Sequence, residues 1–108
     1  MEYQLTEVAR REIEEITIKI SEDNLFAAER WHAVLFKKFE GLVQFPRMGR
    51  RRDDVRTGVY YFPYDNYLIF YDITDTAVVV VHVVHGARNL PEVFHSEEAE
   101  EPTPSKTR

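Results

Sequence analysis

The chain has no cysteine. Disulfide frameworks, thiolate metal sites and cysteine nucleophiles are therefore excluded. Its only serines, Ser21, Ser96 and Ser105, stand at a helix junction and in the C-terminal stretch, which leaves a hydrolase triad without a nucleophile. Glycine is scarce and scattered, at positions 41, 49, 58 and 86, so there is neither a phosphate loop nor a dinucleotide fingerprint, and no cofactor is expected. No stretch approaches the ~20 consecutive apolar residues of a membrane helix. The N-terminal segment MEYQLTEVARREIEE lacks the charged-then-apolar pattern of a secretion signal, which makes the cytoplasm the expected location. A basic excess is missing too: 14 Lys and Arg face 19 Asp and Glu, for a net charge of −5, so any contact with phosphates must come from a local patch.

What is present is the material of one core. The 108 residues are 44% hydrophobic and include seven Phe, six Tyr and one Trp, enough for a single domain over residues 1–95. Residues 96–108 are acid-rich, contain two prolines and carry no large apolar side chain; a disordered tail is expected there.

After a short apolar-leaning strand at Tyr3–Leu5, Thr6 stands as an N-cap before Val8, Ala9, Ile13, Ile16 and Ile20 at helical spacing. The first helix is predicted over roughly 7–21. Glu7 with Arg11 and Glu15 with Lys19 should form solvated i,i+4 pairs on its outer face. Asp23 or Asn24 can cap a second helix whose Ala28, Trp31, Leu35, Phe39 and Leu42 repeat at threes and fours, and Pro46 ends it near 43. From Gly58 onward the period becomes two. Val59–Phe62, Tyr67–Tyr71 and Ala77–Val84 read as three successive antiparallel strands, with Asp65-Asn66 as a tight turn. The almost unbroken valines of the last strand indicate burial on both faces and an interior place in the sheet. Asn89 with Glu92 resembles a capping box that opens a short helix to about His95. The fold class predicted is α+β: β-α-α-β-β-β with a helical hairpin packed on an antiparallel sheet and a short C-terminal helix.

His82 and His85 lie three apart in a strand and point to opposite faces, so they do not form a metal pair, and no metal site is expected. If His82 faces the helices, it is expected to be a satisfied core histidine. The polar concentration of the chain is Arg47–Arg56, five arginines against two aspartates in the long helix-to-strand connection. Arginine forks onto phosphate or carboxylate with two hydrogen bonds, and a loop of this length favours a binding role over a merely solvated one. His85 and Arg88 leave the last strand beside Gly86 and could join Arg50 and Arg56 on one rim of the sheet. Tyr60, Tyr61, Tyr64, Tyr67 and Tyr71 read as cross-strand packing.

Taken in order, "DNLFAAERW", "FPRMGRRRDDVRTG", "YDNYLIFY" and "VVHVVHGARNLPEVF" resemble the RelE/ParE superfamily of bacterial toxins, closest to its ParE-like members, over about residues 3–95. The resemblance implies the toxin of a type II toxin–antitoxin module. It also implies a cognate antitoxin that wraps the hairpin and sheet in a hetero-oligomer, and a target that is DNA gyrase, reached by protein contact. The alternative within the superfamily is a ribosome-dependent cut of messenger RNA, for which His85, Arg88, Arg50 and Arg56 would be the catalytic candidates. Asn89–Phe94 has no basic residue or tyrosine, which departs from the nuclease pattern. From the ParE-like pattern the chain departs at His82, Asn89 and Leu25, where arginine, aspartate and proline are common. The candidate target- or antitoxin-binding residues are Arg50, Arg51, Arg52, Arg56, His85, Arg88 and Tyr64.

Overall fold

The computed structural model describes residues 1–87 and 89–99, with side chains described as far as Phe94 apart from Arg88. Thr6 caps helix α1 (Glu7–Asp23), its hydroxyl oxygen accepting from the Ala9 N–H at 3.1 Å. Asn24 is extended, and it serves both as the C-cap of α1 and as the N-cap of α2 (Leu25–Gln44), accepting from the Ala27 N–H at 3.0 Å. One residue therefore turns the hairpin. The expected pairs Glu7–Arg11 and Glu15–Lys19 do not close among the described residues, because long exposed side chains gain little from pairing in water.

Five strands form one sheet in the order β1-β5-β4-β3-β2, with β1 at Glu2–Leu5, β2 at Arg50–Arg51, β3 at Tyr60–Tyr64, β4 at Tyr67–Ile73 and β5 at Ala77–His85. Two features correct the sequence reading. The sheet is mixed, since β1 runs parallel to β5 with Leu5 opposite Val80, while the other pairs are antiparallel. The two-residue β2, expected as loop, pairs Arg50 with Tyr61 and Arg51 with Tyr60. Alternation reveals that a strand exists but not its partner, and a two-residue strand has no period to read. The turn between β3 and β4 holds Asp65 at φ 58°, as expected for its Asp-Asn sequence.

Apolar residues divide between the two faces of the sheet. Against the hairpin, Ile69, Tyr71, Val78, Val80 and Val83 pack on Ile13, Trp31, Leu35, Phe39 and Leu42. On the other face, Phe70, Val81, Val84 and Val59 meet Val93 and Phe94 of helix α3 (Leu90–Ala99). Thus β5 is covered on both sides, as its valines require. A bulge at Val81, where Tyr71 faces Val80 and Phe70 faces His82, places Val81 and His82 toward the second face in succession. Asn89 accepts from the Glu92 N–H at 3.3 Å, so α3 begins where expected. It continues past the predicted end near His95 because no glycine or proline interrupts residues 92–99. Positions 100–108, the rest of the expected tail, lie outside the described residues.

Candidate functional site

The connection between α2 and β3 is closed by its own bonds. Arg52 and Val59 are joined by a backbone bond of 2.8 Å, and Asp53 accepts from the Gly58 N–H at 2.7 Å, which folds residues 53–58 back on themselves. Each arginine then takes a separate seat. Arg51 pairs with Asp53 at 2.9 Å and lies over the Tyr60 ring. Arg52 grips both oxygens of Asp54 at 2.9 Å and lies over Tyr61. Arg56 reaches Asp72 of β4 at 3.0 Å and covers Phe94. The guanidinium bonds from Arg51 and Arg52 are the leading cause that holds the Asp53 and Asp54 carboxyls below their ordinary range.

Partner residues in an antiparallel pair share a face, so Arg50, opposite Tyr61, belongs with Arg52 and Arg56 on the side away from the hairpin. Arg51 and Arg47, both at Tyr60, belong to the hairpin side. The loop thus presents cations on both sides of the β3 edge.

Beneath the loop, the buried Tyr71 hydroxyl donates to the Pro46 carbonyl at 2.7 Å and accepts from the Gly49 N–H at 3.1 Å. Gly49 fits this seat because a Cβ there would stand 2.5 Å from both the Tyr61 carbonyl oxygen and the Tyr71 hydroxyl. Burial raises the Tyr71 phenol above its ordinary value.

Tyr64 and His85 occupy the far end of the sheet. Tyr64 stacks on Trp31 at 5.8 Å and donates to the Trp31 carbonyl at 3.3 Å. His85 is exposed, stands opposite Tyr67, meets its ring edge-on at 5.5 Å and accepts at Nδ1 from the Ala87 N–H. Three strand spacings, roughly 14 Å, separate β5 from β2. The expectation of one rim is therefore corrected: Arg50 and Arg56 share a face, while His85 lies on the other, because odd and even residues of paired strands diverge. Arg88 lies outside the described residues.

His82 is buried and donates through Nδ1 to the Glu12 carboxylate at 3.0 Å, while its ring meets Phe94 edge-on at 4.8 Å on the face away from the hairpin. Glu12 was not singled out in the sequence, yet it also accepts from the Val83 N–H at 2.9 Å. Since β1 stops at Leu5, the exposed edge of β5 beyond Val80 needs other partners. Thr6 bonds the carbonyls of Val80 and Val81, and Glu12 takes the next amide. The available signal was its place one turn after Ala9, flanking the apolar stripe of α1.

Set against known proteins, this helical hairpin on a five-stranded sheet superposes on a solved structure described as the chromosomal ParDE TA system from P. aeruginosa, with a TM-score of 0.68 and 12% identity over 79% of this chain and 95% of that one. The two chains share one α+β fold. Residues 3–90 match the family described as the ParE toxin of the type II toxin-antitoxin system, parDE, and the chain belongs to that family. No curated protein matches the sequence.

Proposed function

We propose that this chain is the toxin of a two-protein module that inhibits DNA gyrase by protein contact in the cytoplasm and is held inactive, in a hetero-oligomer, by a cognate antitoxin. Membership of the ParE family supports the toxin role. The observation that carries the mode of action is the dispersal of the chemistry. Scission of RNA needs an acid, a base and cations gathered on one phosphate. Here Arg56 is engaged with Asp72 and Phe94, while His85 stands at the opposite end of the sheet beside Tyr67. Inhibition by contact needs only a rigid surface with charged edges, and arginines held on aromatic rings by a closed loop provide one.

In this reading Arg50, Arg51, Arg52, Arg56 and Arg88, with Tyr64 and His85, touch the target or the antitoxin. The test is a supercoiling assay with purified toxin and gyrase. Inhibition that weakens on Arg50→Glu and is relieved by the small protein encoded next to the toxin is expected. Undisturbed supercoiling together with codon-positioned cuts in messenger RNA after induction would overturn the reading in favour of the nuclease.

A further inference from the structure

Helix α3 ends on charge of the wrong sign for a helix. Glu97 and Glu98 stand in its last turn, which has no basic residue, and Glu100 and Glu101 follow at once. The C-terminal end of a helix carries partial negative charge, and carboxylates crowded there also repel one another. Cations from another part of the chain relieve both effects.

The path of α3 leads toward such cations. The helix follows β5 at the His85 end of the sheet, and by Phe94 it has reached the row formed by His82, Phe70, Tyr61 and Arg50. There the Arg56 guanidinium lies 5.5 Å from the Phe94 ring centre, so the arginine loop and α3 already meet. Positions 97 and 98 follow Phe94 by three and four, the spacing that returns to the same side of a helix.

The receiving face is basic. Residues 47–56 hold five arginines against two aspartates, and Arg50, Arg52 and Arg56 belong to the sheet face that α3 covers. Arg52 and Arg56 are matched by Asp54 and Asp72. Arg50 is exposed and has no carboxylate among the described residues, so its fork is open to one.

We propose that the acidic segment at residues 97–101 docks on the arginine face of its own chain, with Arg50 as its main partner, and shields that face until another protein displaces it. The net charge of the chain does not oppose this contact. These four glutamates supply four of its five net negative charges, so the surface they meet is close to neutral overall and locally basic. Each exposed ion pair is weak, but a segment tethered a few residues beyond Phe94 acts at millimolar effective concentration. The docking stands without the toxin reading; only the consequence, that a target or antitoxin must displace the segment, rests on it.

The chain has no cysteine, so a reporter pair can be introduced without background. The full chain carrying Thr57→Cys and Thr103→Cys is oxidised, and closure of the disulfide is followed by loss of free thiol. Closure is expected to slow about tenfold when Glu97→Gln, Glu98→Gln, Glu100→Gln and Glu101→Gln are added, because the pairs that hold the segment are lost together. It should slow similarly in about 1 M salt, which shortens the reach of charge to ~3 Å and needs no substitution in the segment. Fewer acids favour the thiolate, so a slower rate reports lost proximity and not lost reactivity. In the cysteine-free chain, phenylglyoxal should modify Arg50 about fivefold faster once the four glutamates are neutralised, while Arg47, on the hairpin side, keeps its rate. Closure rates that ignore both charge and salt, or an Arg50 whose reactivity does not change, overturn the proposal. So does a disulfide that forms between chains, which would seat the segment on a second copy. None of these readouts involves gyrase, so a chain that leaves supercoiling untouched can still pass, and the two readings fail separately.

Discussion

Replacing Tyr71 by Phe removes one oxygen atom and leaves a ring that still stacks on Tyr60 at 5.6 Å. Two bonds disappear with it, the 2.7 Å donation to Pro46 and the 3.1 Å acceptance from Gly49, both in a partly buried site. At about 1 kcal/mol net for each bond, the loss is about 2 kcal/mol, a large share of the ~5–15 kcal/mol that holds a small domain together. For a chain of this length, that corresponds to a fall in melting temperature of roughly 8 °C. The assay is a thermal melt followed by circular dichroism, with hydrogen exchange of the Gly49 amide as the local reporter. Faster exchange at Gly49 should accompany the lower melt. Gly49→Ala strikes the same lock from the other side, since its Cβ would overlap the Tyr61 carbonyl oxygen and the Tyr71 hydroxyl. Residues that share an interaction are not additive, so the double variant should lose less than the sum of the two. A Tyr71→Phe protein that melts within about 2 °C of the parent and keeps Gly49 protected would refute the account of how the arginine loop is held.

Other outcomes follow from the same contacts. Trp31→Ala removes a buried ring packed on Tyr64 and Tyr67 and should cost about 3–5 kcal/mol, so a variant that melts within about 2 °C of the parent would refute the core assignment. Glu12→Ala leaves the Val83 amide and the His82 Nδ1–H without their acceptor and should lose about 2–3 kcal/mol in urea titration. Glu12→Gln keeps a carbonyl acceptor and should lose less; indistinguishable midpoints would count against the edge-capping role. Burial is the leading cause that raises Tyr64, Tyr67 and Tyr71 above 10.0, so the unfolded chain ionises first as pH rises and binds fewer protons than the folded one. Stability should therefore be intact below about pH 10 and fall above it. Urea midpoints across that range test this, and Tyr71→Phe should flatten the decline.

Local order was largely legible. The caps at Thr6, Asn24 and Asn89 each make the bond their residue type implies, and the threes and fours of α2 name its buried side chains. The tyrosines pack across strands, Tyr60 on Tyr71 and Tyr64 opposite Tyr67, as their alternation suggests. The candidate site was less legible. Five arginines in one loop read as one patch, but a two-residue strand sends Arg50 and Arg51 to opposite faces, and nearby aspartates neutralise their neighbours. Glu12 and Tyr71 gave weaker signals because each acts on a segment far along the chain, the amide of Val83 and the turn at Pro46–Met48.

Periodicity, caps and turn residues depend on neighbours a few positions apart, which is why the sequence by itself determined the helices, the three long strands and the burial of β5 between two layers. Tertiary structure alone decided the parallel seat of β1, the bulge that turns His82 toward Glu12 and Phe94, and the separation of His85 from the arginines. Those depend on which distant backbone edges and side chains remain unsatisfied once the layers close, a condition that no local pattern encodes.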